Sequence, residues 1–331
     1  MKSLVVKQRL LFICILSLCA VSFLALPNTV LLIESYHSEF EWDESYIKGL
    51  EKTLGSAGEL HTFQMNTKRI SAERYEESAR NALQAYQDLK PSVVVLGDDN
   101  AFNFMYPKLF NEPISIVFLG INSNPRHLLQ EYQGKASVTG VLEQPLFVKT
   151  MGDIGELIQG QDKKVRVMFD SGVTSKLAID YMEKQTAAIS RSLKIDIELQ
   201  AISTEMEWHE SVLGAKEDGV SAIVIGLYHT LINEKKQSVS ADTILSWTNK
   251  NSTVPLFGFW DFSIGKGKAA GGVVLFGQLQ GEQAGVLIMR ILNGEQADSI
   301  PIQIGKKGRA IYSPIEMERW GLTPLSHWEP M

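Results

Sequence analysis

Short runs of apolar, often β-branched residues alternate along the chain with longer stretches whose apolar positions recur every three or four residues. Residues 30–33 form the first run. After the polar group Glu34-Ser35-Tyr36-His37, the next segment places Tyr46, Ile47, Leu50 and Leu54 on one helical face, and Gly55 and Gly58 stop it. The pattern predicts strands at 30–33, 60–65, 92–96, 114–118 and 137–141, with helices at 43–54 and 71–89. It then restarts. Helices at 144–158, 175–190, 205–218, 242–249 and 281–292 alternate with strands at 164–169, 195–201, 222–225, 255–259 and 271–276, and runs at 300–304 and 310–312 close the chain.

Strands separated by helices of this length make βαβ units, so the fold class is α/β with mostly parallel sheets. Two such series, with a break near 141–144, predict two doubly wound parallel-sheet lobes. The first takes residues 30–141 and 278–296, the second 142–277 and 297–325. Because the chain crosses between lobes more than once, the connection is a multi-strand hinge, and the cleft beside it is the expected place for a small ligand.

Composition changes this picture at the N-terminus. Lys2, Lys7 and Arg9 precede an apolar run from 10 to 26, the layout of a secretory signal peptide, with cleavage expected after Ser22. An uncleaved anchor competes with it, since about 17 apolar residues lie near the lower limit for a membrane span. Leu16-Ser17-Leu18-Cys19 departs from a lipidation motif at Leu18, where a small residue belongs. The expected location is the periplasm. Cys14 and Cys19 both lie in this segment, so the mature domain holds no thiol. Loss of three positive charges takes the formal net charge from −6 to −9, which argues against nucleic acid as a partner.

In open α/β sheets, ligands bind beyond the carboxyl ends of the strands. The run 255–259 ends in Trp260-Asp261-Phe262-Ser263, an aromatic face beside a carboxylate. The other strand ends predict Tyr36, His37, Trp42, Asp98, Asp99, Asn100 and Asn122 from the first lobe, and Asp170, Ser171 and Tyr228 from the second. Trp260 and Tyr36 would stack on the ligand. Asp99, Asn122 and Asp261 would orient polar or cationic groups, and Ser171 would donate from the second lobe. Asp98 and Asn100 are also ordinary helix-capping types, and Trp260 and Phe262 are equally at home as core aromatics. Adjacent Asp98 and Asp99 point different ways in a loop, no nucleophile elbow or phosphate-binding loop occurs, and no second histidine sits at ligand spacing from His37. No enzyme, metal or cofactor is expected.

Several of these stretches carry a resemblance. Leu31-Leu32-Ile33-Glu34-Ser35-Tyr36-His37 followed by Trp42, Gly97-Asp98-Asp99-Asn100-Ala101, Val138-Thr139-Gly140-Val141, Pro255-Leu256-Phe257-Gly258 and Arg319-Trp320-Gly321 are similar in type and order to the ABC-transporter substrate-binding family with the type 1 periplasmic-binding fold. The likeness spans essentially the whole mature chain. It implies lobes that close on a small, amino-acid-like solute, a monomer when free, and a membrane permease as partner. The Tyr36-His37 and Trp260-Asp261-Phe262 versions look most like the branch of extracytoplasmic sensor modules, which implies a membrane sensor kinase or cyclic-nucleotide enzyme as the alternative partner.

Overall fold

The computed structural model describes residues 28–331 apart from 159, 161, 306 and 307. The expected signal segment, with both cysteines, lies outside the described residues. Among the described residues no helix is long and apolar enough to cross a membrane.

Strand β1 (Asn28–Glu34) sits inside a sheet whose order is β11-β5-β4-β3-β1-β2, all pairs parallel. The other members are β2 (Gly58–Gln64), β3 (Val93–Gly97), β4 (Ser115–Ile121), β5 (Ser137–Leu142) and β11 (Gln303–Ile304). Parallel strands covered on both faces need continuous apolar runs, and β1 and β3 supply them. Val30 and Leu32 face one layer, with Tyr46 and Leu50 of α1 (Glu41–Leu54). Leu31 and Ile33 face the opposite layer, with α2 (Tyr75–Leu89) and α3 (Asp98–Leu109). Helix α3 was not expected. It starts directly from β3, its first turn is acidic, and Pro107 near its end masks the helical period.

The second sheet runs β13-β12-β10-β9-β8-β6-β7. Its strands are β6 (Lys163–Asp170), β7 (Ile195–Ile202), β8 (Ala222–Ile225), β9 (Leu256–Gly258), β10 (Gly271–Val274), β12 (Arg309–Tyr312) and β13 (Glu329–Pro330), all parallel to their neighbours except where β10 meets β12. The elements α4 (Arg126–Glu131), α5 (Phe147–Leu157), α6 (Val173–Leu193), α7 (Glu205–Gly214), α8 (Ala241–Asn251), α9 (Gly277–Leu292) and α10 (Pro314–Trp320) complete the described helices.

The chain crosses between lobes after β5, between β10 and α9, and between β11 and β12. The last crossing comes later than the sequence suggested, because residues 297–304 stay with the first lobe. Helix α9 packs on α1 and leaves the chain beside β5, so β11 extends the first sheet, and Thr139 Oγ1 donates to the Ile300 carbonyl at 2.9 Å. The close approach of α1 and α9 is made by glycine. A Cβ on Gly49 would overlap the Gln278 carbonyl, and one on Gly281 the Tyr46 carbonyl.

Gly281→Val should therefore push α9 off α1 and cost about 1–3 kcal/mol or more. Urea unfolding measures it. An unchanged midpoint would show that the two helices can separate freely.

Candidate functional site

The carboxyl ends of both sheets meet along one cleft. The turn after β1 places Tyr36, the first turn of α1 places Trp42, and the β3–α3 junction places Asp98. Asp98 holds φ at +74°, in the left-handed region, and its side chain lines the cleft. Tyr36 OH donates to Asp98 Oδ1 at 2.8 Å and lies 3.0 Å from Thr174 Oγ1, in the first turn of α6 on the other lobe. A second bond crosses nearby: Trp260 Nε1 donates to Glu143 Oε1 at 2.6 Å. Glu143 sits on the first crossing segment, just past β5.

These groups enclose an inner cavity of about 10 Å³, walled also by Phe40, Phe262, Leu227 and Lys68. Phe40 meets Tyr36 edge-on at 5.3 Å, and Trp260 stacks on Phe262 at 6.3 Å. Lys68 comes from the loop after β2. Its Nζ lies 4.1 Å from the Tyr36 ring centre and 4.7 Å from that of Phe40. The same side chain also lines a side compartment of about 40 Å³ and a mouth of about 470 Å³. Lys68 thus stands as a pillar dividing the cleft.

A lysine shares this cavity with buried carboxyl groups. Burial lowers the Lys68 pKa, while Asp170, Asp98, Asp43 and Glu143 favour its charged form. Burial raises Asp98 and Glu143; the charge of Asp99 raises Asp98 further, and the charges of Asp98 and Asp99 raise Glu143 further. Gly120, at φ +68°, leaves space between them. A Cβ there would lie 3.5 Å from Trp42 Nε1, 3.6 Å from Asp98 Oδ2 and 3.6 Å from Glu143 Oε2. One indole donor, which has no hydrogen-bond partner among the described residues, and two carboxylate oxygens therefore converge on one point.

Of the residues read from sequence, Tyr36, Trp42, Asp98 and Trp260 line the inner cavity. His37 and Tyr228 line the mouth, and Asn100 lines the side compartment, where its Nδ2 donates to Thr67 Oγ1 at 2.9 Å. Asp99 turns away: its two oxygens accept from the backbone N–H groups of Asn122 and Ser123 at 3.1 and 3.0 Å. Asn122 itself reaches Glu143 Oε2 at 3.4 Å. Asp170 touches the side compartment, but its oxygens hold Gly172, Ser175, His229 and Thr230. Ser171 bonds Ser203 at 2.9 Å, and the second-lobe hydroxyl in the inner cavity is that of Thr174. Asp261 accepts from the Phe262 N–H at 3.0 Å and opens a short 3₁₀ turn. Sequence reasoning missed Lys68, Glu143, Phe40 and Thr174. The strand-end rule applied to β2 would have reached Lys68.

No family model and no curated protein matches the sequence, but solved structures match over 85% to 92% of this chain. The fold is that of the type 1 periplasmic-binding proteins. An ABC domain in complex with L-Trp from Streptococcus pneumonia is similar at 14% identity and TM-score 0.67, covering 91% of this chain and 97% of its own. A conserved domain protein from Vibrio cholerae gives 14% and 0.68 over 92% and 99%. The ligand-free, open form of a substrate-binding protein with adhesive properties from Clostridium difficile gives 13% and 0.61 over 92% and 99%.

Behind Asp98 the first lobe buries two more carboxylates, Glu34 and Asp43. Burial, with the charge of Glu39, raises Glu34 to about 7 from 4.5, and burial, with Asp98 and Glu34, raises Asp43 as well. A carboxyl with a raised folded pKa favours the folded state most fully below its unfolded value, and loses that contribution as the pH rises to the folded one. His37 and His229, both lowered by burial, act in the opposite sense, losing stability as the pH falls. Wild type minus Glu34→Gln isolates the acid. Between about pH 4.5 and 7 the wild type should lose up to roughly 3 kcal/mol that the variant does not. Denaturant unfolding at several pH values checks this, and parallel profiles would exclude it.

Proposed function

We propose that this chain is an extracytoplasmic solute-binding protein whose lobes close on a small zwitterionic, amino-acid-like solute with an aromatic or other flat side group, and that a membrane ABC importer reads the closed form. The observation that carries this reading is the facing of the Lys68 ammonium and the Asp98 and Glu143 carboxylates inside an aromatic enclosure at the lobe contact. The type 1 periplasmic-binding fold supports it.

An ammonium group of the solute would sit above Gly120, taking the oxygens of Asp98 and Glu143, and would relieve the burial that raises their pKa values. A solute carboxylate would pair with Lys68, and the Trp42 indole N–H offers a further donor. Tyr36, Phe40, Trp260 and Phe262 would pack on the apolar part. The inner cavity admits about one water. The solute therefore arrives with the lobes parted, and its contacts to both lobes favour closure. The Tyr36–Thr174 and Trp260–Glu143 bonds are what the lobes regain on closing.

Native mass spectrometry of the mature protein, purified without denaturation, and a thermal-shift series test this reading. The series compares amino acids with their amides, their deaminated analogues, sugars and nucleosides. Amino acids alone should stabilise the protein, and Lys68→Met and Glu143→Gln should each weaken binding at least tenfold, about 1.4 kcal/mol. Stabilisation by a sugar or nucleoside, or an amino acid bound equally well by both variants, would overturn the assignment of the charges.

A further inference from the structure

The connection between β8 and α8, residues 226–240, lines both the cleft and an outer groove. Its first half faces the cleft, with Leu227 in the inner cavity and Tyr228 and His229 at the mouth. Asp170 pins that half, its Oδ2 accepting from the N–H groups of His229 and Thr230 at 2.8 and 3.0 Å. The second half is fastened to the start of α7. Ile232 bridges Thr204, and its carbonyl accepts from the Glu205 N–H at 3.0 Å. Helix α7 has a capping box, with the Glu207 N–H donating to Thr204 Oγ1 at 3.2 Å and the Thr204 N–H to Glu207 Oε2 at 3.1 Å, so its first turn is held firmly.

Between α7 and this second half lies a groove of about 600 Å³. Met206 and Leu213, on its α7 wall, are 55% and 51% exposed. They are seven residues apart, two helical turns, and so share one face. Glu205, Glu210 and Glu234 surround them, with Lys235 the opposing charge in the lining. A pair of large apolar side chains held out to water on one face, inside an acidic rim, has the make-up of a protein-interaction surface. The rim decides its character: a basic segment gains from the glutamates, and an acidic one is repelled.

We propose that this groove is a protein-docking site, and that its occupant is a partner segment presenting an apolar side chain between lysines or arginines. The apolar residue would seat between Met206 and Leu213, with the cations on Glu205, Glu210 and Glu234. A partner so placed touches the same connection that lines the cleft, yet the site itself stands independently of which solute the cleft takes.

The test uses the mature full-length protein and two synthetic probes, a labelled peptide of alternating Leu and Arg and its counterpart with Glu for Arg, read by fluorescence anisotropy. The basic peptide should bind. Its affinity should fall at least tenfold in Met206→Ser/Leu213→Ser and at least tenfold in Glu210→Gln/Glu234→Gln, with the acidic peptide not binding. All four positions are exposed, so the thermal midpoint should stay unchanged, as should any cleft-ligand stabilisation. Equal binding of both peptides, no binding of either, or binding that survives the Met206/Leu213 variant would overturn the proposal. So would a concentration-dependent dimer lost in the same variants, which would give the groove to a second copy of the chain.

Discussion

Carboxylates taken out of water set the terms for this molecule. Asp98 and Glu143 lie where the two lobes touch, and each holds a donor whose other contacts belong to the opposite lobe or to the ring wall: Tyr36 with Thr174, and Trp260. A buried charge without partners costs far more than a hydrogen bond returns. The cleft therefore holds these acids ionised only while Lys68, the indole and phenol donors, or a bound cation face them; burial alone drives them toward the protonated form. The aromatic enclosure intensifies the requirement by excluding water.

The rest of the first lobe is arranged to hold that geometry. Strained Asp98 starts α3 directly from β3, and Asp99 spends its oxygens on the turn that carries Asn122 toward Glu143. Gly120 keeps the space between the carboxylates clear. The α1–α9 contact through Gly49 and Gly281 sets the distance of Trp42 and Tyr46 from the crossing segments. In the second lobe Asp170 does for the β8–α8 connection what Asp99 does in the first: its oxygens organise backbone.

That last point explains how much was legible in the sequence. Alternating apolar runs and helical periods reveal two α/β lobes, because parallel strands buried on both faces have little choice of composition. Strand ends then pointed at Tyr36, Asp98, Tyr228 and Trp260. A carboxylate at a strand end, however, reads the same whether it faces the cleft, as Asp98 does, or binds the neighbouring turn, as Asp99 and Asp170 do. Glu143 was hidden because residues 144–158 were read as a helix that begins at Phe147, leaving the hinge a residue or two of linker. Lys68 was hidden because β2 is a half-exposed edge strand, and only a side chain this long carries its charge from there into the cleft. Helix α10 and β13 follow a Ser313-Pro314 start signal that the closing strand pattern overshadowed.

The pillar formed by Lys68 also bears on time. In the proposed cycle, a side chain that spans three compartments would make capture a two-step passage, in which hinge opening admits the solute to the mouth and a lysine rotation admits it to the inner chamber. Rotamer changes of accessible side chains take picoseconds to nanoseconds, and hinge motions microseconds to milliseconds. On that reading the rate of release would be governed by how long the lobes stay shut, and the lysine would act on how often an opening ends in escape.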